Sequence, residues 1–174
     1  MKRFVPLLLA GILLLIFQTT WLSYFPIQRI RPDVLLIFAL YLAFFFPPIL
    51  GGILAFFIGY LMDVFSGNTL GFYTFSRTLV FFATQFSKER FYLEGFSFQF
   101  LFAFIFSILE GGLLFILING LEPVSFGNLY SSLFTFLLPQ SFCTGLACPL
   151  LFFIFQKAAS VLFRQPEQGI NARG

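Results

Sequence analysis

Three ionisable residues interrupt stretches of sequence that are otherwise apolar: Asp63, Arg77 and Glu110. A charge in hydrocarbon is costly, so such groups normally face the interior of a helix bundle and pair. Arg77 is the one cation of the three. The spacing therefore predicts an Asp63–Arg77–Glu110 cluster, with Arg77 lying between the helices that carry the acids and pairing with one or both. Such a cluster has two uses. It can clamp helices together, or it can line a charged pocket for a ligand or ion. Snorkelling without a fixed partner is the third possibility.

Other chemistry finds little support. The chain has no histidine, which removes the commonest general base, proton shuttle and metal ligand. Cys143 and Cys148 are five apart in an apolar run. At 3.6 residues per turn they point to different faces of a helix, so they read as packing residues rather than a disulfide or metal site. No nucleophile–base pair, phosphate loop, metal cluster or nucleic-acid patch stands out. The expectation is a protein that is not an enzyme, needs no cofactor or metal, and binds no nucleic acid.

The elements that must position these charges follow from composition. Of 174 residues, 59% are hydrophobic and only 10% are charged, and mean hydropathy is +0.96. That leaves too little polar surface to coat a water-soluble globule, so the chain reads as an integral membrane protein. Continuous apolar runs, not alternating ones, select helices over a barrel. Six spans are expected, at about 4–25, 33–46, 49–65, 71–86, 96–118 and 129–155, in a single domain with a polar tail over 156–174. The second apolar run is short for a full crossing and is expected to be tucked among its neighbours. Pro32-Asp33 suits the start of its helix, and Pro47-Pro48 ends it. The sixth run contains Pro139 and Pro149, so it is either one kinked helix or a broken one.

Depth adds a constraint. At ~1.5 Å per residue, Asp63 lies ~5 Å from the turn at Ser66, Arg77 ~9 Å from Gly71, and Glu110 ~13 Å from Asn119. All three charges then fall in the same half of the membrane. Lys2, Arg3, Lys88, Arg90, Lys157, Arg164 and Arg173 would lie on one side and Arg29 and Arg31 on the other. That asymmetry places both termini in the cytoplasm.

Small residues recur at helical spacing: Gly51, Ala55 and Gly59 in the third run, and Ala103, Ser107 and Gly111 in the fifth. Such stripes allow close helix approach, either within the bundle or against a partner helix. Lys88-Glu89-Arg90-Phe91-Tyr92 reads either as an ordinary cytoplasmic anchor with interfacial aromatics or as a docking loop for a cytosolic partner.

The order of several short motifs resembles the MreD family of rod shape-determining proteins. They are Arg31-Pro32-Asp33 with Leu35-Leu36, then Gly52 and Gly59, then Asp63 through Ser66-Gly67 to Leu70-Gly71, and Arg90-Phe91-Tyr92. Size and the number of spans also match. The 31 phenylalanines depart from the aliphatic residues usual in the family but leave the motif residues untouched. The resemblance implies a fold similar to the S components of energy-coupling-factor vitamin transporters. It also implies a non-enzymatic component of the bacterial inner membrane, in the elongation machinery (the elongasome). There it would bind MreC and help couple MreB filaments to peptidoglycan synthesis by a SEDS glycosyltransferase–transpeptidase pair. The alternative is an S-component-like subunit that binds a small solute, such as a vitamin, near Arg77.

Overall fold

The computed structural model describes residues 4–24, 32–66, 71–88, 95–121 and 137–162. They form six helices: α1 (Phe4–Tyr24), α2 (Val34–Phe45), α3 (Pro48–Ser66), α4 (Phe72–Ser87), α5 (Phe96–Leu121) and α6 (Leu138–Leu162). Helices are what hydrocarbon demands, because only they satisfy every backbone polar group within one segment. Three are long and apolar enough to cross a membrane, over Pro48–Ser66, Phe96–Leu117 and Leu138–Ser160, while Val5–Thr20 and Val34–Phe45 are shorter apolar helices. The chain is an all-α membrane protein.

The bounds differ from expectation mainly at the last helix. It continues to Leu162, so residues 156–162 belong to α6 and not to a tail. The expected start of that span at residue 129 lies outside the described residues, and the helix begins at Leu138. It passes through Pro149 without a break, whereas Pro139 falls in its first turn, where proline is tolerated.

The centre of the molecule is α2. It has 12 residues, and Val34 to Ala43 are all buried. At ~18 Å it is shorter than the ~30 Å hydrocarbon layer. It packs against each of the other five helices, so its apolar surface meets protein on every side. A helix buried this way must have its end groups satisfied by neighbours. At its start, the Leu36 amide donates to Asp33 Oδ1 (3.0 Å), the Leu35 amide donates to Gln18 Oε1 of α1 (3.0 Å), and the Asp33 amide donates to Thr144 Oγ1 of α6 (3.1 Å). At its finish, Gln85 Nε2 donates to the Phe46 carbonyl (3.1 Å) and Lys88 Nζ to that of Ala43 (3.5 Å), both from the last turn of α4 or just beyond it.

Helices α3 and α4 approach each other closely at the backbone. Gly51, Ala55 and Gly59 all lie on the buried face of α3. A Cβ on Gly59 would stand 2.7 Å from Thr74 Cα and 2.9 Å from the Tyr73 carbonyl oxygen, and one on Gly51 would strike the Phe81 ring at 2.6 Å. The outward face of α3 carries Ile53, Phe56, Phe57, Tyr60 and Val64, all exposed. In α5, Ala103 and Ser107 are buried, while Leu137 covers Gly111 so closely that a Cβ there would lie 1.9 Å from Leu137 Cδ1. Both small-residue stripes thus face neighbouring helices of the same chain.

Candidate functional site

Arg77 comes from the second turn of α4 and is fully buried. Its Nη2 donates to Asp33 Oδ2 at the start of α2. Its Nε lies 3.1 Å from Glu110 Oε1 of α5, an ion-pair contact in which the N–H is not aimed for a hydrogen bond. Met62 Sδ of α3 stands 3.5 Å from Nη2, and Nη1 has no hydrogen-bond partner among the described residues. Ser76 Oγ reaches the same Glu110 oxygen at 3.4 Å. One guanidinium therefore joins α2, α4 and α5, and Gln18 Nε2, 3.4 Å from Asp33 Oδ1, extends the network to α1.

Asp63 is not a member of this cluster, contrary to the sequence expectation. It is 1% exposed and spends both oxygens on the start of α4. Tyr73 N donates to Oδ1 (2.9 Å), and Thr74 N (2.9 Å) and Thr74 Oγ1 (2.5 Å) donate to Oδ2. Tyr73 and Thr74 are the second and third residues of α4, the positions an N-cap side chain serves. The N-cap residue itself is Gly71, in the left-handed region at φ 107° and with no side chain to offer. Glycine accepts that conformation without steric cost, and the preceding helix supplies the missing cap. The negative carboxylate also suits the positive end of the helix dipole.

Asp33 replaces Asp63 as the second acid on Arg77, whereas sequence reading gave Asp33 the start of a helix and a place in a family motif, not a partner. Two available signals point to it together. The second run is too short to cross and so sits inside the bundle, and that brings its leading acid down to the depth of an arginine ~9 Å along α4. Gln18 and Thr144 carry no comparable signal, since a neutral polar residue in an apolar run has many uses. Of the loop residues singled out, Lys88 is half-buried against α2, and Glu89, Arg90, Phe91 and Tyr92 lie outside the described residues. Cys143 and Cys148 are both free thiols.

Beside the cluster lies a cavity of about 350 Å³, reached by residues from all six helices or their immediate ends. Asp33, Tyr73, Ser107, Glu110 and Gln140 give it polar walls, and Met62 and Leu114 are among its apolar ones.

The fold and site define an all-α membrane protein built around a short central helix tethered by buried ion pairs. The chain belongs to the family described as rod shape-determining protein MreD, whose model matches residues 1–161. It is thus a membrane protein of rod-shape determination. The comparisons with curated proteins and with solved structures returned no match, so similarity to vitamin-transporter S components stands on the sequence resemblance alone.

Proposed function

We propose that the protein is a non-catalytic membrane component of the bacterial elongation machinery and binds an MreC-like partner through its helices. Family membership over residues 1–161 carries this reading. In it, the protein lies in the inner membrane as a six-span bundle with both termini in the cytoplasm. By way of the partner it helps couple MreB filaments to the SEDS glycosyltransferase–transpeptidase pair. The buried cluster then serves the architecture, holding α2, α4 and α5 in one arrangement so that the outer helix faces are presented as a rigid surface. Exposed aromatic and aliphatic side chains on α3 and α5, such as Phe56, Phe57, Ile105 and Leu109, offer apolar area to lipid or to a partner helix. The segment 88–92, between α4 and α5 in the chain, would be the cytosolic contact.

Copurification tests the reading. The tagged full chain, coexpressed with the MreC-like protein of the same cell and extracted in mild detergent, is expected to retain it through gel filtration. Retention of transporter ATPase subunits in its place would sink the proposal.

A further inference from the structure

The cavity beside Arg77 is built like a binding site, and its polarity indicates for what. Glu110 is 3% exposed and lines the cavity. Its Oε1 accepts from Ser76 and faces Arg77, while no described residue donates to its Oε2. Ser107, one turn earlier on α5, is 7% exposed and also lines the cavity, and its hydroxyl has no partner among the described residues. The same holds for the Gln140 side-chain amide on α6. Asp33 has both oxygens engaged.

Polar side chains that face a cavity without a protein partner are commonly met by a ligand or water. Two carboxylates meet one guanidinium here, a formal balance of −1. Arg77 is not part of the cavity wall, so the wall itself presents only acids and neutral groups. Arg77 keeps its Nε and Nη1, which lack hydrogen-bond partners among the described residues, away from that wall, so a ligand in the cavity meets acids and neutral groups, which favours a cationic donor. At about 350 Å³ the space falls at the small end of organic-ligand sites. Its apolar walls would take a short carbon chain.

We propose that this cavity binds a primary ammonium group, seated on Glu110 Oε2 with Ser107 and Gln140 as further acceptors. In a membrane that group comes either from an aminophospholipid headgroup or from a free small amine. The site is independent of partner binding, and failure to retain an MreC-like protein would leave it standing.

The test uses the full chain in detergent. Short-chain phosphatidylethanolamine and phosphatidylglycerol of equal acyl length are titrated by native mass spectrometry, and phenethylamine is titrated by calorimetry. Wild type is expected to prefer the ethanolamine lipid or to bind phenethylamine. Lipid binding alone assigns the headgroup as the source, and phenethylamine binding assigns a free amine. Glu110→Gln is expected to weaken binding by about tenfold to a hundredfold, the size of a lost charge-assisted hydrogen bond. Leu114→Trp fills the cavity without touching the ion pairs and is expected to abolish binding, which keeps the test valid should Glu110→Gln not fold. Equal retention of the two lipids without amine binding overturns the proposal. So does capture of a lysine-rich peptide with neither amine probe, or binding unchanged in Leu114→Trp.

Discussion

At the scale of single residues, the buried acids do different work despite similar settings. Asp33 and Glu110 hold an arginine, whereas Asp63 holds a helix end. Removing Arg77 leaves Asp33 and Glu110 as buried carboxylates with no counter-charge. Arg77→Ala is expected to cost about 3–5 kcal/mol, the range seen when one partner of a buried pair is lost. Reversible unfolding in mixed detergent would check this, and a variant as stable as wild type would refute the clamp. Asp63→Ala is expected to cost about 2 kcal/mol, near the top of the capping range because three donors lose their acceptor. Double-mutant cycles separate the two roles. Arg77→Ala with Glu110→Gln should be strongly non-additive. Arg77→Ala with Asp63→Ala should couple far less, since the two share no bond. A larger coupling in the second pair would restore the sequence-based cluster.

Among the elements, α2 and the α3–α4 hairpin decide how the molecule is held. The stripe of small residues on α3 lies at a close helix approach, with one position stricter than the rest. Gly59 meets backbone atoms of Tyr73 and Thr74, which cannot rotate aside as a side chain can. Gly59→Ala is expected to cost about 1–3 kcal/mol by overpacking. Gly112→Ala, where no described residue lies within 4 Å of the added carbon, is expected to be neutral or slightly stabilising by helix propensity. Thermal denaturation followed by circular dichroism compares the two directly, and equal melting points would contradict the packing account. For α2, shortness has a consequence that its hydropathy does not advertise. Both helix ends are enclosed by neighbouring helices, so side chains of α1, α4 and α6 meet its free amides and carbonyls. Gln85→Leu keeps the volume and removes the donor to the Phe46 carbonyl. It should destabilise by about 1 kcal/mol, measured in the same melts.

For the molecule as a whole, the proposed topology places both termini and the loop at 88–92 on the cytoplasmic side. Single cysteines introduced at residues 2, 90 and 169 of a Cys143→Ala/Cys148→Ala background are expected to resist a membrane-impermeant thiol reagent in intact spheroplasts. A cysteine at residue 68 should react. Labelling at 90 before lysis would invert the orientation.

Much of this protein was legible in its sequence. Composition alone settled that the chain lives in lipid, and lipid settled that it is helical. The proline pair and the apolar runs marked most helix bounds to within a few residues, and the order of short motifs pointed to the family. These properties depend on each residue's own chemistry and on its near neighbours in the chain, which a sequence displays. The partner of each buried charge was decided elsewhere. Asp63 and Asp33 are equally available to Arg77 by charge. The choice between them rests on where a short central helix begins and on a glycine cap that leaves the start of α4 in need of an acceptor. Both are facts about the distance between helices, fixed only when all six pack together.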